Sequence, residues 1–326
     1  MMREITVAQA TAEALIEEMS KDPNIFIIGE DLTAHGGIFG QFVGIPEKFP
    51  DRILDTPISE TAIVGAGVGA ALTGMRPLVD LHFADFITIT MDEIVSQAAT
   101  MRYMFGGQSK MPLVIWAPDG AGLSAGPHHS KSFEAWFMHA PGMKVVVPST
   151  PYDVKGLLKS ALRDDDLVLF FQHKKLFKFK GPVPEEEYVI PLKKADVKRE
   201  GTDVTIITYS MMVHHSLSAA KKLEKEGISV EIVDLRTIWP FDFDTVAESV
   251  KKTGHVVIAH ESWKVGGVGA ELASQIQEKL FDYLDAPVVR VGAEHVPIPF
   301  SPPLEKRVIP DDEDVYKAVK KVLEEA

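Results

Sequence analysis

Apolar positions in this chain alternate between short uninterrupted runs and longer stretches with helical spacing. Ile25-Phe26-Ile27-Ile28, Leu78-Val79-Asp80-Leu81, Leu113-Val114-Ile115-Trp116, Val145-Val146-Val147 and Leu167 to Phe171 are such runs. A run without polar alternation predicts a strand covered on both faces, as in a parallel sheet. Thr6 to Ser20 reads as an amphipathic helix opening on a capping box, Thr6-Val7-Ala8-Gln9, and stopped by Asp22-Pro23. Thr150-Pro151-Tyr152-Asp153 is a second helix start, with a cap, a proline at the first position and an acid in the first turn. That helix is expected to reach about Arg163, and Ile87 to Phe105 is also patterned as helix.

The alternation continues in the second half. Strands are expected at 204–208, 230–233, 256–258 and 288–291, and helices at 213–225, 242–252, 269–281 and 312–325. Strand–helix alternation throughout predicts an α/β protein of two domains with mainly parallel sheets flanked by helices. Composition shifts at Lys174–Lys180, which is basic, and Gly181–Glu187, which is rich in Pro and Glu. The expected domains are therefore 1–185 and 201–326, joined by a linker at 186–200.

Bulk composition narrows the function. The 326 residues are 45% hydrophobic, enough for two cores. A formal charge of −13 excludes a general nucleic-acid binder, which needs a basic stripe. There is no cysteine, so neither disulfides nor thiolate chemistry contribute. No apolar run is long enough to span a bilayer, and a cytoplasmic location is expected.

Several motifs bear on chemistry. Asp55-Thr56-Pro57-Ile58-Ser59-Glu60 runs straight into a small-residue apolar segment. Ser59 is placed to cap the helix that follows, which puts Glu60 in its first turn. A carboxylate there either complements the helix dipole at the surface or is a buried acid. Gly65-Ala66-Gly67-Val68-Gly69-Ala70 fits the loose dinucleotide pattern of a nicotinamide-dependent oxidoreductase. Its glycines, however, fall inside a helix already running, where close packing is the plainer explanation. Gly122-Leu123-Ser124-Ala125-Gly126 fits a nucleophile elbow and keeps a serine hydrolase open, although no strand leads directly into it. His128-His129 and His214-His215 lack transition-metal spacing. Glu30, Phe86 and His129 all follow strands, where α/β sheets bind ligands. Asp164-Asp165-Asp166 reads first as a solvated helix end.

Taken together, the Asp55–Glu60 stretch, His82-Phe83-Ala84-Asp85-Phe86, His129-Ser130, Lys155–Lys159, Ala161-Leu162-Arg163-Asp164, Asp234–Thr237 and Gly266–Glu271 resemble one family in order and spacing. It is the β subunit of the thiamine-diphosphate-dependent 2-oxo acid dehydrogenases, covering pyruvate, branched-chain and acetoin members. The resemblance implies a transketolase-like fold, with a pyrimidine-binding domain followed by a C-terminal domain for subunit contacts and docking to an acyltransferase core. It implies that Glu60 hydrogen-bonds the cofactor's aminopyrimidine and that Phe86 stacks on it. Glu30, Ile58, Ser59, His82, Ile87, Thr88 and Ile89 would surround the same ring. His129 would act in proton transfer around acyl transfer to a lipoyl group. Phe83, Ala84, Asp85 and Lys131 would lie near the 2-oxo acid. Backbone oxygens of Leu113, Ala161, Leu162, Asp164 and Asp166 match a K⁺ site in some members.

The resemblance implies that the diphosphate half of the cofactor is held through Mg²⁺ by the family's α subunits, with a Gly-Asp-Gly segment and a later asparagine. This chain has no Gly-Asp-Gly, and its one asparagine is Asn24. A separate α subunit is therefore expected, in an α₂β₂ heterotetramer that is inactive without it. Branched-chain members often carry Gln at the position of His82, which leaves the substrate open.

Overall fold

The computed structural model describes residues 2–324. The chain divides into two compact units. One holds the chain up to Asp119 together with Trp136–Leu192. The other holds Gly120–Ala135 together with everything from Lys193 onward.

In the first unit, β1 (Met2–Thr6) leads into α1 (Val7–Lys21). The capping box forms as the residue types require: Thr6 Oγ1 accepts the Gln9 N–H at 3.1 Å, and Gln9 Oε1 accepts the Thr6 N–H at 2.8 Å. Then come β2 (Ile25–Gly29), two short turns α2 (Leu32–His35) and α3 (Ile45–Lys48), β3 (Ile53–Asp55), α4 (Glu60–Leu72) and β4 (Arg76–Asp80). Residues 84–90 are a 3₁₀ segment and 92–98 a π segment, before α5 (Ala99–Met104). A single α-helix over Ile87 to Phe105 is thus replaced by a distorted one. The β-branched run Ile87-Thr88-Ile89-Thr90 at its start disfavours regular α-helix. β5 (Val114–Asp119) extends three residues past Trp116. After α6 (Glu134–His139) come β6 (Met143–Val146), α7 (Pro151–Arg163), β7 (Leu167–His173) and β8 (Lys180–Pro184). β1 and β8 pair antiparallel.

The main sheet of this unit runs β3-β2-β4-β5-β7-β6, all parallel. Its strands are apolar and fully covered, as their patterning predicts; all seven positions of β7 are buried. Strand order reverses between β2 and β4: from β2 the chain first steps outward to β3, then returns to the other side of β2. In open α/β sheets a crevice opens outside the carboxyl ends of the strands at such a reversal. The Lys155 and Lys159 side chains of α7 are buried and answer acids of α1, with Lys155 2.7 Å and Lys159 2.7 Å from Glu17.

The second unit carries β9 (Asp196–Arg199), β10 (Val204–Thr208), α8 (Met211–Glu224), β11 (Val230–Asp234), a short β12 (Thr237–Trp239), α9 (Phe243–Thr253), β13 (Val256–Trp263), α10 (Val268–Leu280), β14 (Val289–Ala293), α11 (Pro302–Val308) and α12 (Asp312–Glu324). Its sheet runs β14-β13-β10-β11-β9, parallel except for β9, which pairs antiparallel with β11. Residues 186–200 are therefore not linker throughout, since 196–199 form an edge strand. The apolar faces of α8 and α12 close one core with β10, β11 and β13. Among the described residues no helix is long and apolar enough to cross a membrane.

Candidate active site

The crevice at the reversal collects charge from three strand ends. Glu30 follows β2, Glu60 opens α4 after β3, and Asp80 ends β4 with His82 two residues on. All three carboxylates are buried: Glu30 8%, Glu60 7% and Asp80 1% exposed. The strands approach so closely here that a side chain on Gly29 would put its Cβ 2.8 Å from the Cβ of Asp80. Asp55 orders the rim by accepting the Leu32 N–H at 2.6 Å and the Thr33 N–H at 3.1 Å. Thr56 stitches the same segment to β2 through its N–H, 2.9 Å from the Gly29 carbonyl. Ser59 stands at the N-cap of α4, but its side chain makes no capping bond. The expected Ser59 cap is corrected in that respect; the angle of the helix start comes from the Asp55 and Thr56 contacts and from α4 packing.

That packing explains the glycines. A Cβ at Gly67 would lie 2.5 Å from Val79 Cγ2 and 3.3 Å from Leu113 Cδ1, so α4 rides directly on β4. The glycines lie inside the helix, away from its start, and the dinucleotide reading lapses with that geometry.

Electrostatics in the crevice are cooperative. Asp80 lies 3.9 Å from His82 Nδ1. Its carboxylate holds the His82 imidazolium above the ordinary histidine range, against the opposing effect of burial. Burial, then the neighbouring Glu60 charge, pushes the Glu30 carboxyl up. Both oxygens of Asp80 and Nδ1 of His82 lack a hydrogen-bond partner within the protein. Buried polar atoms left in this state call for a partner such as water or a bound group. Asp80 was not singled out from the sequence, because a lone acid in an apolar run reads simply as strand.

Aromatic rings form the adjoining wall. Phe83 and Phe86 meet edge to face at 6.0 Å, and His82 meets Phe83 at 5.9 Å. Phe86 is half-buried, whereas Ala84, Asp85 and Ile87 are buried and Thr88 is exposed. Ile58 and Ile89 are exposed at 80% and 57%. Glu30, Glu60, Asp80 and His82 are thus linked through their charges, and His82 continues through Phe83 to Phe86 by ring contacts, while Ile58 and Ile89 are exposed.

His129 and Lys131 lie in the 120–135 segment, which packs with the second unit. The Lys131 ammonium sits 5.9 Å from the Phe133 ring centroid. In the same loop the Ser124 hydroxyl donates to Glu305 Oε2 at 3.1 Å. No strand-to-helix elbow forms at Ser124, and the serine-hydrolase reading loses its geometric support.

The five positions matched to a cation site lie together where α7 ends beside the start of β5. The Leu113 carbonyl accepts from Val168 N–H at 2.9 Å, that of Ala161 from Asp164 N–H at 3.2 Å, and that of Leu162 from Arg76 Nε at 2.8 Å. Asp164 and Asp166 flank Lys144 at 2.6 and 3.0 Å, Arg102 also meets Asp166, and Lys110 lies 2.6 Å from Asp165. The acid triplet is a helix end neutralised by protein cations.

Comparison with known proteins decides the family. Residues 3–180 match the transketolase pyrimidine-binding domain and residues 193–315 the transketolase C-terminal domain. The chain is 46% identical to the pyruvate dehydrogenase E1 component subunit beta of Bacillus subtilis, over 99% of this chain and 100% of that one. The chain belongs to the family of 2-oxo acid dehydrogenase β subunits. It is 45% identical to the 2-oxoisovalerate dehydrogenase subunit beta of Bacillus subtilis, covering 95% of this chain and 96% of the relative. The acetoin:2,6-dichlorophenolindophenol oxidoreductase subunit beta of Cupriavidus necator is also 45% identical, over 99% and 98%. A solved structure described as a split-gene transketolase, inactive β₄ tetramer, superposes with a TM-score of 0.81 at 27% identity, covering 98% of this chain and 99% of that one. For a β subunit of this family, the crevice at β2 and β4 lies within the pyrimidine-binding domain.

Proposed function

We propose that this β subunit, joined by an α subunit, oxidatively decarboxylates a 2-oxo acid and passes the acyl group to a lipoyl group on an acyltransferase core. The observation that carries the reading is the buried carboxylate of Glu60 at a helix start, beside Glu30 and the Asp80–His82 pair, in the switch-point crevice. Thiamine diphosphate, when bound, supplies a nucleophilic ring carbon and an electron sink for decarboxylation. The residues present fit its pyrimidine half. Glu60 would hydrogen-bond the ring nitrogen and hold or release a proton there, Phe86 would offer a ring face, and a low-dielectric site would strengthen both contacts. His129 holds or moves a proton during acyl transfer.

The chain carries no counterpart for the other half of the cofactor. It has no Gly-Asp-Gly, and among the described residues no group of three or more His, Asp and Glu is arranged to hold a metal ion. An α subunit supplying the Mg²⁺–diphosphate site in an α₂β₂ assembly accounts for this. Exposed Ile58, Ile89, Tyr103, Met104 and Phe105 on the first unit offer apolar surface for such a partner. The carbonyls of Leu113, Ala161, Leu162 and Asp164 each accept one protein hydrogen bond and keep a second lone pair with which, beside Asp166, they would hold a monovalent cation.

Acetoin is the second substrate class, favoured by an identity to the acetoin relative equal to that of the branched-chain one. Co-expression with an α subunit, followed by thiamine-dependent reduction of an artificial acceptor with pyruvate, branched 2-oxo acids and acetoin, tests the reading. A well-formed tetramer inert to all of them would refute it.

A further inference from the structure

The Gly122-x-Ser124-x-Gly126 motif, left without a role by the loss of the hydrolase reading, is built to bind an anion. Gly122, Ser124 and Gly126 have φ of 89°, 55° and 72°, all left-handed. Serine at such a φ is strained, and residues alternating through this region point successive N–H groups into a shared concavity. A carboxylate of the same unit fills it. Glu305 of α11, 4% exposed, accepts the Gly122 N–H at 2.8 Å, the Ser124 N–H at 2.9 Å and the Ser124 hydroxyl at 3.1 Å. Glu261 of β13 accepts the neighbouring Ala121 N–H at 2.6 Å.

The loop is fastened elsewhere as well. The Gly120 N–H reaches the Lys131 carbonyl at 3.2 Å and closes its neck. Past the neck, the Tyr209 hydroxyl donates to buried Glu134 at 2.7 Å, where α6 begins. Phe300 lies against Gly126, where an added Cβ would come within 2.7 Å of its ring. Between these anchors the chain has one turn left, closed by the His129 N–H on the Gly126 carbonyl at 3.3 Å. Bonds to a buried carboxylate are the strong kind, and three on one side chain outweigh the strain of a single left-handed serine.

We infer that Glu305 is a positioning residue: its carboxylate, seated in the Gly122–Ser124 nest, sets the loop that presents His129 and Lys131. Its carboxylate is engaged by the loop it holds. Its catalytic consequence rests on the role proposed above for His129, whereas the clamp itself does not. A clamp failure should therefore fall on acyl transfer to the lipoyl group more than on decarboxylation.

The test uses the assembled α and β subunits with Glu305→Ala, Glu305→Gln and Ser124→Ala. Hydrogen exchange of the Gly122 and Ser124 amides is followed with acylation of a lipoyl domain and reduction of an artificial acceptor. Glu305→Ala is expected to speed exchange at both amides at least about tenfold, the equivalent of one lost bond. Lipoyl acylation should fall at least about tenfold, with acceptor reduction falling less than about threefold. Glu305→Gln keeps the shape but not the charge and should fall between wild type and Ala. Ser124→Ala, which loses only the hydroxyl bond, should do the same. Unchanged exchange in a folded Glu305→Gln assembly would overturn the clamp. Equal loss of acylation and acceptor reduction would overturn the positioning role. If wild type turned over no substrate, the functional reading would fall, and exchange alone would still decide the clamp.

Discussion

Two glycines two residues apart in α4, and so on opposite faces of the helix, should respond to the same substitution with opposite signs. Alanine is favoured over glycine inside a helix by about 1 kcal/mol. At Gly69 nothing lies within 4 Å of the added Cβ, so Gly69→Ala in the isolated chain should gain that amount. At Gly67 the same methyl would sit 2.5 Å from Val79 Cγ2 and 3.3 Å from Leu113 Cδ1. The first distance is about 1 Å inside ordinary carbon contact. Overpacking of that kind costs about 1–3 kcal/mol, which after the propensity gain leaves a loss of about 1 kcal/mol. The two variants should therefore differ by about 2 kcal/mol, which for a chain of this size is about 3 °C in Tm. Thermal melting of the purified chain reads this directly. Gly67→Ala should also weaken thiamine diphosphate binding in the assembly, because moving α4 off β4 moves Glu60. Equal shifts for the two variants, or a more stable Gly67→Ala, would refute the argument that close helix–strand approach fixes the site.

Other outcomes follow from the same structure. Glu60→Gln should lower turnover by at least about 10²-fold with assembly intact by size-exclusion chromatography; near-wild-type turnover would remove Glu60 from the chemistry. Asp80→Asn should bring His82 back toward the ordinary histidine range, followed by NMR titration of its ring proton. Because the folded value of His82 is raised, its contribution to stability is complete below the ordinary unfolded histidine value of about 6.5 and lost as pH rises through the folded one. The denaturant midpoint of wild type should therefore fall over that window, and Asp80→Asn should flatten the fall. Lys159→Ala strips a buried ammonium from Glu17 and should cost about 3 kcal/mol in urea unfolding; a cost below about 1 kcal/mol would mark the pair as ornamental.

Much of this was legible in the residues. The unbroken apolar runs specified a covered parallel sheet, and the caps at Thr6 and Thr150 formed through their side chains as expected. Of the residues read at strand ends, Glu30 and Phe86 follow β2 and β4, which meet at the reversal, whereas His129 falls in the 120–135 segment grouped with the second unit. What escaped depends on distance along the chain. Asp80 gains its meaning only from β2, which no local pattern pairs with β4. The anion nest at Gly122–Ser124 is complete only when Glu305, 181 residues beyond Ser124, arrives to fill it. β9 looked like linker because an edge strand needs one apolar face at most, and its four residues are all half-buried. The 3₁₀ and π segments at 84–98 escaped because helical spacing does not distinguish ring sizes of hydrogen bonds.

The reversal between β2 and β4 also dictates an order of events during folding. These two strands are neighbours, yet β3, α4 and their connections lie between them in the chain. Pairing them closes a loop of about fifty residues, whose entropy must be surrendered before the contact returns anything. An excursion that has already condensed, with α4 seated through Gly67, shortens that loop in effect. The crevice residues Glu30 and His82 should meet late, after the elements that carry Glu60 have formed, making the site one of the last parts of the unit to become native.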